Sequence, residues 1–92
     1  MVRVLVVEDE ANIREMIALN LRLTGMEAVE AESAEAALPL LACRIVVTRS
    51  EEVEALCNAQ GIPVLRHAQP YRSDTVRLGL AALLGKEPAL RG

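Results

Sequence analysis

Short apolar runs alternate with helical stripes along the whole chain. The stretch from Val2 to Val7 (VRVLVV) predicts a strand buried on both faces, since period-two alternation disappears when both sides of a strand are covered. Asn12 to Thr24 predicts a helix with Ile13, Met16, Ile17, Leu21 and Thr24 on one face, and Gly25 stands where a left-handed residue closes a helix. Glu27 to Ala31 (EAVEA) is a second, weaker strand. Ser33 caps a second helix running to about Ala42. Pro39 falls inside it, deleting one hydrogen bond at a cost of about 3 kcal/mol unless the helix is short or kinked.

The alternation continues in the second half. Arg44 to Thr48 (RIVVT) predicts a third strand. Ser50 caps a third helix, with Glu51 and Glu52 at the positive end of its dipole, a stripe of Val53, Leu56 and Cys57, and Gly61 as its stop. Ile62 to Arg66 (IPVLR) is a fourth strand, which must start at Pro63 or lie on an edge because proline cannot donate to a ladder. Ser73 caps a last helix running to Leu84, with Val76, Leu80, Leu83 and Leu84 inward, and Lys86 to Gly92 form a frayed tail. The βαβαβαβα order implies one α/β domain over residues 1–92. Its architecture is a flavodoxin-like or Rossmann-like three-layer α/β/α sandwich, with right-handed crossovers and four parallel strands in the order 2-1-3-4. Two exposed sheet edges then favour a homodimer or a domain-swapped dimer.

Composition narrows the function classes. A 92-residue domain buries about 60–65% of the surface its unfolded chain exposes, enough for a modest core. Tyr71 is the sole aromatic, so that core is aliphatic and offers no platform on which bases could stack. A net charge of -3 provides no basic face to release counterions, which argues against nucleic acid as a partner. No apolar run reaches the roughly 18 residues of a membrane span and no signal-peptide pattern opens the chain, so a cytoplasmic protein is expected. Cys43 and Cys57 read as reduced, buried thiols, and a zinc site would need four ligands where His67 is the sole histidine.

The residues with chemical potential are few. Glu8 and Asp9 follow the first strand, at the carboxyl edge where open α/β sheets place their sites. Their hard oxygens suit Mg²⁺, and the bland alternative is a vestigial pair of solvated carboxylates. Mutual repulsion would raise one of their pKa values, so Asp9→Asn is expected to leave the fold unchanged or more stable unless Mg²⁺ is bound. Ser73 opens the last helix and, with Arg72 nearby, is an anion-binding candidate or simply a cap, although Asp74 beside it would repel phosphate. His67 is a general-base candidate or a solvated loop residue. Arg44, Arg49, Arg66, Arg72 and Arg77 interleave with Glu51, Glu52 and Glu54 and read as a mixed surface.

Residues 2–42 carry a recognisable pattern: the hydrophobic strand, then Glu8-Asp9-Glu10, then Asn12-Ile13-Arg14 opening a helix, then Glu30-Ala31. This opening resembles a response-regulator receiver domain. The resemblance implies an acidic pair holding Mg²⁺, an aspartate phosphoacceptor closing the third strand and a lysine near the last strand. The chain departs from that pattern. Its two aspartates are Asp9 and Asp74, and its one lysine is Lys86. Thr48 stands at the acceptor's place if RIVVT matches the family's third strand. If RIVVT matches the fourth, Thr48 meets the family's switch hydroxyl and the acceptor strand is missing. Arg66 and His67 stand where the lysine is expected. The segment Arg72 to Leu80 (RSDTVRLGL), with VVTRSEEVEAL before it, resembles part of a molybdenum-cofactor-type nucleotidyltransferase, without that family's Gly-rich phosphate loop.

Two half-matches meeting near Ala42 and Cys43 imply a join. The expectation is therefore a non-catalytic receiver-like scaffold, recombined or engineered, with no phosphoacceptor and no required cofactor beyond weakly held Mg²⁺. The alternatives are a degenerate pseudo-receiver of a two-component system that acts by phosphorylation-independent protein interaction, and a true phosphoacceptor receiver.

Overall fold

The computed structural model describes residues 2–67 together with Leu78, Gly79 and Ala82. Four strands, β1 (Arg3–Val7), β2 (Glu27–Ala31), β3 (Ile45–Thr48) and β4 (Val64–Arg66), form one parallel sheet in the order β2-β1-β3-β4. This is the expected 2-1-3-4 order. The connecting helices are α1 (Ala11–Leu23), the short α2 (Ala34–Ala37), which runs on into a 3-10 turn at Leu38–Leu40, and α3 (Glu51–Ala59). The expected last helix and its inward residues lie outside the described residues, apart from helical Leu78, Gly79 and Ala82.

The burial of β1 and β3 explains their unbroken apolar sequence. Val4 and Val6 face one layer with Ile45 and Val47, packed under Ile17, Ala18 and Leu21 of α1. Leu5, Val7 and Val46 face the other, with Ala37, Leu41, Val53 and Cys57. Leu5, Ile17, Ile45 and Val46 are at most 1% exposed. Each such aliphatic side chain contributes about 1.5–3 kcal/mol on burial, so these two layers carry the fold. Cys57 is buried and Cys43 packs against the same layer, and burial raises both thiol pKa values.

Two helix features differ from the sequence expectation. Met16 is half exposed, because the α1 face that meets the sheet centres on Ile17, Ala18 and Leu21. The second helix spans four residues, Ala34–Ala37, rather than running to about Ala42. Pro39 has no N–H to extend it, and the chain tightens into the 3-10 turn instead. The fourth strand, Val64–Arg66, follows Pro63 and lies on an edge of the sheet, as expected of a strand with a proline at its start.

The turn chemistry follows expectation. Gly25 and Gly61 adopt φ of 88° and 74°, closing α1 and α3 where a side chain would be strained. Ser33 and Ser50 cap their helices by accepting from the Ala36 and Val53 N–H groups. No helix among the described residues is long and apolar enough to cross a membrane.

Candidate functional site: a buried glutamate at the strand ends

In a parallel sheet the residues that follow each strand gather along one edge. Here those residues are Glu32 after β2, Glu8 after β1, Arg49 after β3 and His67 after β4. The sheet order therefore sets acid beside acid, then a guanidinium, then an imidazole. A surface cleft of about 390 Å³ opens over this edge, lined by Glu8, Asp9, Glu32, Ser33, Arg49 and Glu52 among others.

Glu8 is the centre of the arrangement. Its side chain is fully buried, and that of Asp9 next to it is 82% exposed. A carboxylate cannot be buried as an isolated charge, so its partners decide whether the site is tolerable. Oε2 accepts from the Glu10 N–H at 3.0 Å and from Arg49 Nη2 at 3.0 Å. Oε1 lies 3.2 Å from Nε2 of His67, itself 1% exposed, at ion-pair distance but without hydrogen-bond alignment. The Glu8 backbone is held as well: its N–H donates to Ala31 O at 3.0 Å, and its carbonyl accepts from Arg14 Nη1 at 2.8 Å.

Arg49 bridges the acidic turn. Its Nη2 donates to Glu10 Oε1 at 2.6 Å and to Glu8 Oε2, and lies 3.6 Å from Asp9 Oδ1. The hydrogen bond to Glu10, followed by the charge of Glu8, raises the Arg49 pKa further. Asp9 is held below the ordinary aspartate value, first by the neighbouring Glu8 carboxyl and also by the Arg49 charge. The turn carrying Arg49 is fixed by Thr48, whose Oγ1 accepts from the Ser50 N–H at 3.0 Å. Arg66 Nη2 also donates to the Arg49 carbonyl at 3.3 Å, while Nη1 of the same side chain pairs with Glu54.

Several sequence expectations change here. Glu8 and Asp9 are adjacent as expected, but Glu8 is buried rather than solvated, because β1 is central and its end is roofed by the Arg49 turn and by His67. Asp9, the exposed member of the pair, carries a lowered pKa. His67 is buried against Glu8 instead of solvated on a loop. Arg49 belongs to this site rather than to a mixed surface. Ser73, the anion-binding candidate, lies outside the described residues, as do Arg72 and Asp74. No group of three or more His, Cys, Asp or Glu side chains that could hold a metal ion occurs among the described residues.

Two signals could have found Arg49 and His67. Each directly follows an apolar strand, and the expected 2-1-3-4 order sets both of those strands on the same side of β1. Thr48 closes the strand paired with β1 on the side away from β2, the third-strand place in the 2-1-3-4-5 sheet of this architecture.

Comparison with known proteins gives structural likeness alone. The chain superposes on the receiver domain of the hybrid histidine kinase CckA with a TM-score of 0.68 at 20% identity, over 89% of this chain and 98% of that one. It superposes on SdrG from Sphingomonas melonis Fr1 with a TM-score of 0.70 at 22% identity, over 91% and 97%. The chain has the receiver fold. NtrX from Brucella abortus, solved in complex with ATP, gives a TM-score of 0.76 at 20% identity, covering 98% of this chain and 28% of NtrX. Neither a protein-family model nor a curated protein matches the chain. Because these likenesses cover 89% or more of the chain, they run through both halves. They give no support to a nucleotidyltransferase-like second half or to a join near Ala42.

Proposed function

We propose that this chain is a degenerate receiver: a non-catalytic α/β scaffold that acts through protein contact, independently of phosphorylation. The observation that carries the reading is the strand-end geometry. The strand in the third place ends in Thr48, whose hydroxyl cannot form the acyl phosphate of an aspartate acceptor. The next residue, Arg49, turns its guanidinium into the acidic turn and binds Glu8 and Glu10. Receiver likeness across both halves favours a single degenerate unit over a recombined or engineered chimera.

A second copy is the partner that exposed strand edges would admit. Edge strand β2 works against this, since it presents Glu27 and Glu30 in ion pairs with Arg3, Arg14 and Arg22, and charges on an edge discourage strand addition. A protein partner bound through another surface fits better.

The test is incubation with acetyl phosphate and Mg²⁺, followed by intact-mass measurement. The expected spectrum shows the unmodified chain alone. A phosphoryl adduct would overturn the reading and lead to mapping of the modified residue.

A further inference from the structure

We propose that Arg49 is a built-in counter-cation, filling the place at the strand ends that the receiver resemblance gives to a divalent metal. The residues present do not fit Mg²⁺. That ion demands near-octahedral oxygen coordination at about 2.0–2.1 Å. Glu8 Oε2 is already engaged by Arg49 and by the Glu10 N–H, both at 3.0 Å, and Oε1 faces His67 at 3.2 Å. Asp9 is the other carboxylate of the expected pair, and its Oδ1 lies 3.6 Å from the same Arg49 Nη2. A metal ion between these two carboxylates would have to displace the guanidinium and overcome its repulsion.

The placement of Arg49 is built rather than incidental. Its carbonyl is held by Arg66, and the Thr48–Ser50 hydrogen bond shapes the turn that aims its side chain. A guanidinium does not lose its proton in a protein, so the neutralisation is permanent, whereas a metal ion exchanges with solution. The strand ends of this chain are thereby uncoupled from divalent-cation concentration. The inference rests on the contacts of Arg49 and not on the absence of phosphoryl transfer, which the adduct assay tests separately.

The experiment is thermal unfolding of the full chain in EDTA and in Mg²⁺ at matched ionic strength. It compares wild type, Arg49→Met and the double variant Glu8→Gln/Arg49→Met. The wild-type midpoint is expected to be the same in both buffers. Arg49→Met leaves a buried carboxylate without its main counter-charge, and its midpoint in EDTA should fall by about 10 °C. Mg²⁺ should restore part of that loss, because a ligand that binds the folded state alone raises the midpoint by mass action. The double variant should recover most of the loss and ignore Mg²⁺. If Arg49→Met fails to fold in either buffer, a cooperative melt of the double variant still supports the proposal. A wild-type midpoint that rises with Mg²⁺ would overturn it. So would an Arg49→Met protein as stable as wild type in EDTA, or a double variant no more stable than the single one.

Discussion

The interior of β1 and the residue that follows it are buried equally, yet they depend on their surroundings in different ways. Val4, Leu5 and Val6 are 0% exposed, and Glu8 is 2% exposed. For the aliphatic residues, burial is itself the stabilising term, and any neighbour of suitable shape will serve. For Glu8, burial is a cost that specific partners must offset: Arg49, the Glu10 N–H and His67. A core position degrades by increments as methyl groups are removed. The strand-end position depends on whether its charge is matched.

The largest effect belongs to the interior. Leu5→Ala should cost about 2–5 kcal/mol, read as a lower denaturant midpoint with an unchanged slope. That loss should be the same in EDTA and in Mg²⁺, because no charge is involved. A Leu5→Ala protein within experimental error of wild type would break the comparison on its apolar side.

Next comes the partner of Glu8 at the end of β4. His67→Ala removes a side chain 1% exposed that lies beside the buried carboxylate, and should cost about 1–3 kcal/mol in the same titration. A stability unchanged from wild type would mean that Arg49 and the Glu10 N–H suffice for Glu8, and that His67 only fills space.

Helix capping gives a smaller contrast. Ser50→Ala removes the acceptor for the Val53 N–H of nine-residue α3, and should cost about 1 kcal/mol. Ser33→Ala removes the equivalent bond from α2, which is four residues long, and should cost less because there is little helix to lose. Equal losses would show that the caps act on the turns rather than on the helices.

The smallest effect is at Asp9, where the pH dependence fixes the sign. Its pKa is lowered in the folded chain, so its contribution is complete above the unfolded value of about 4. That contribution disappears as pH falls through the folded value. Asp9→Asn should therefore lower the midpoint slightly at neutral pH and leave it unchanged at strongly acid pH. The repulsion argument predicts the reverse at neutral pH, and a more stable Asp9→Asn protein would restore it.

The order of the elements through β4 was legible in the chain because their causes are local, and the 2-1-3-4 order of the parallel sheet followed from the architecture that this alternation implies. Val4 to Val7 reads as doubly covered, the stripe of Ile17 and Leu21 turns at helical period, and Gly25, Gly61, Ser33 and Ser50 mark ends through their own backbone and side-chain preferences. Element lengths were less legible where a proline competed with its neighbours, as at Pro39 and Pro63. Glu8 was legible as a residue of interest, but its state was not. Burial of its carboxylate depends on Arg49, 41 positions away, and on His67 beyond the fourth strand. Nothing in the periodicity of the chain records which side chains meet when four strand ends come together. The sequence alone set the fold and placed the acidic turn at its edge. Only tertiary packing decided that the turn would close around an arginine, because charge neutralisation acts across space between residues that no local pattern links.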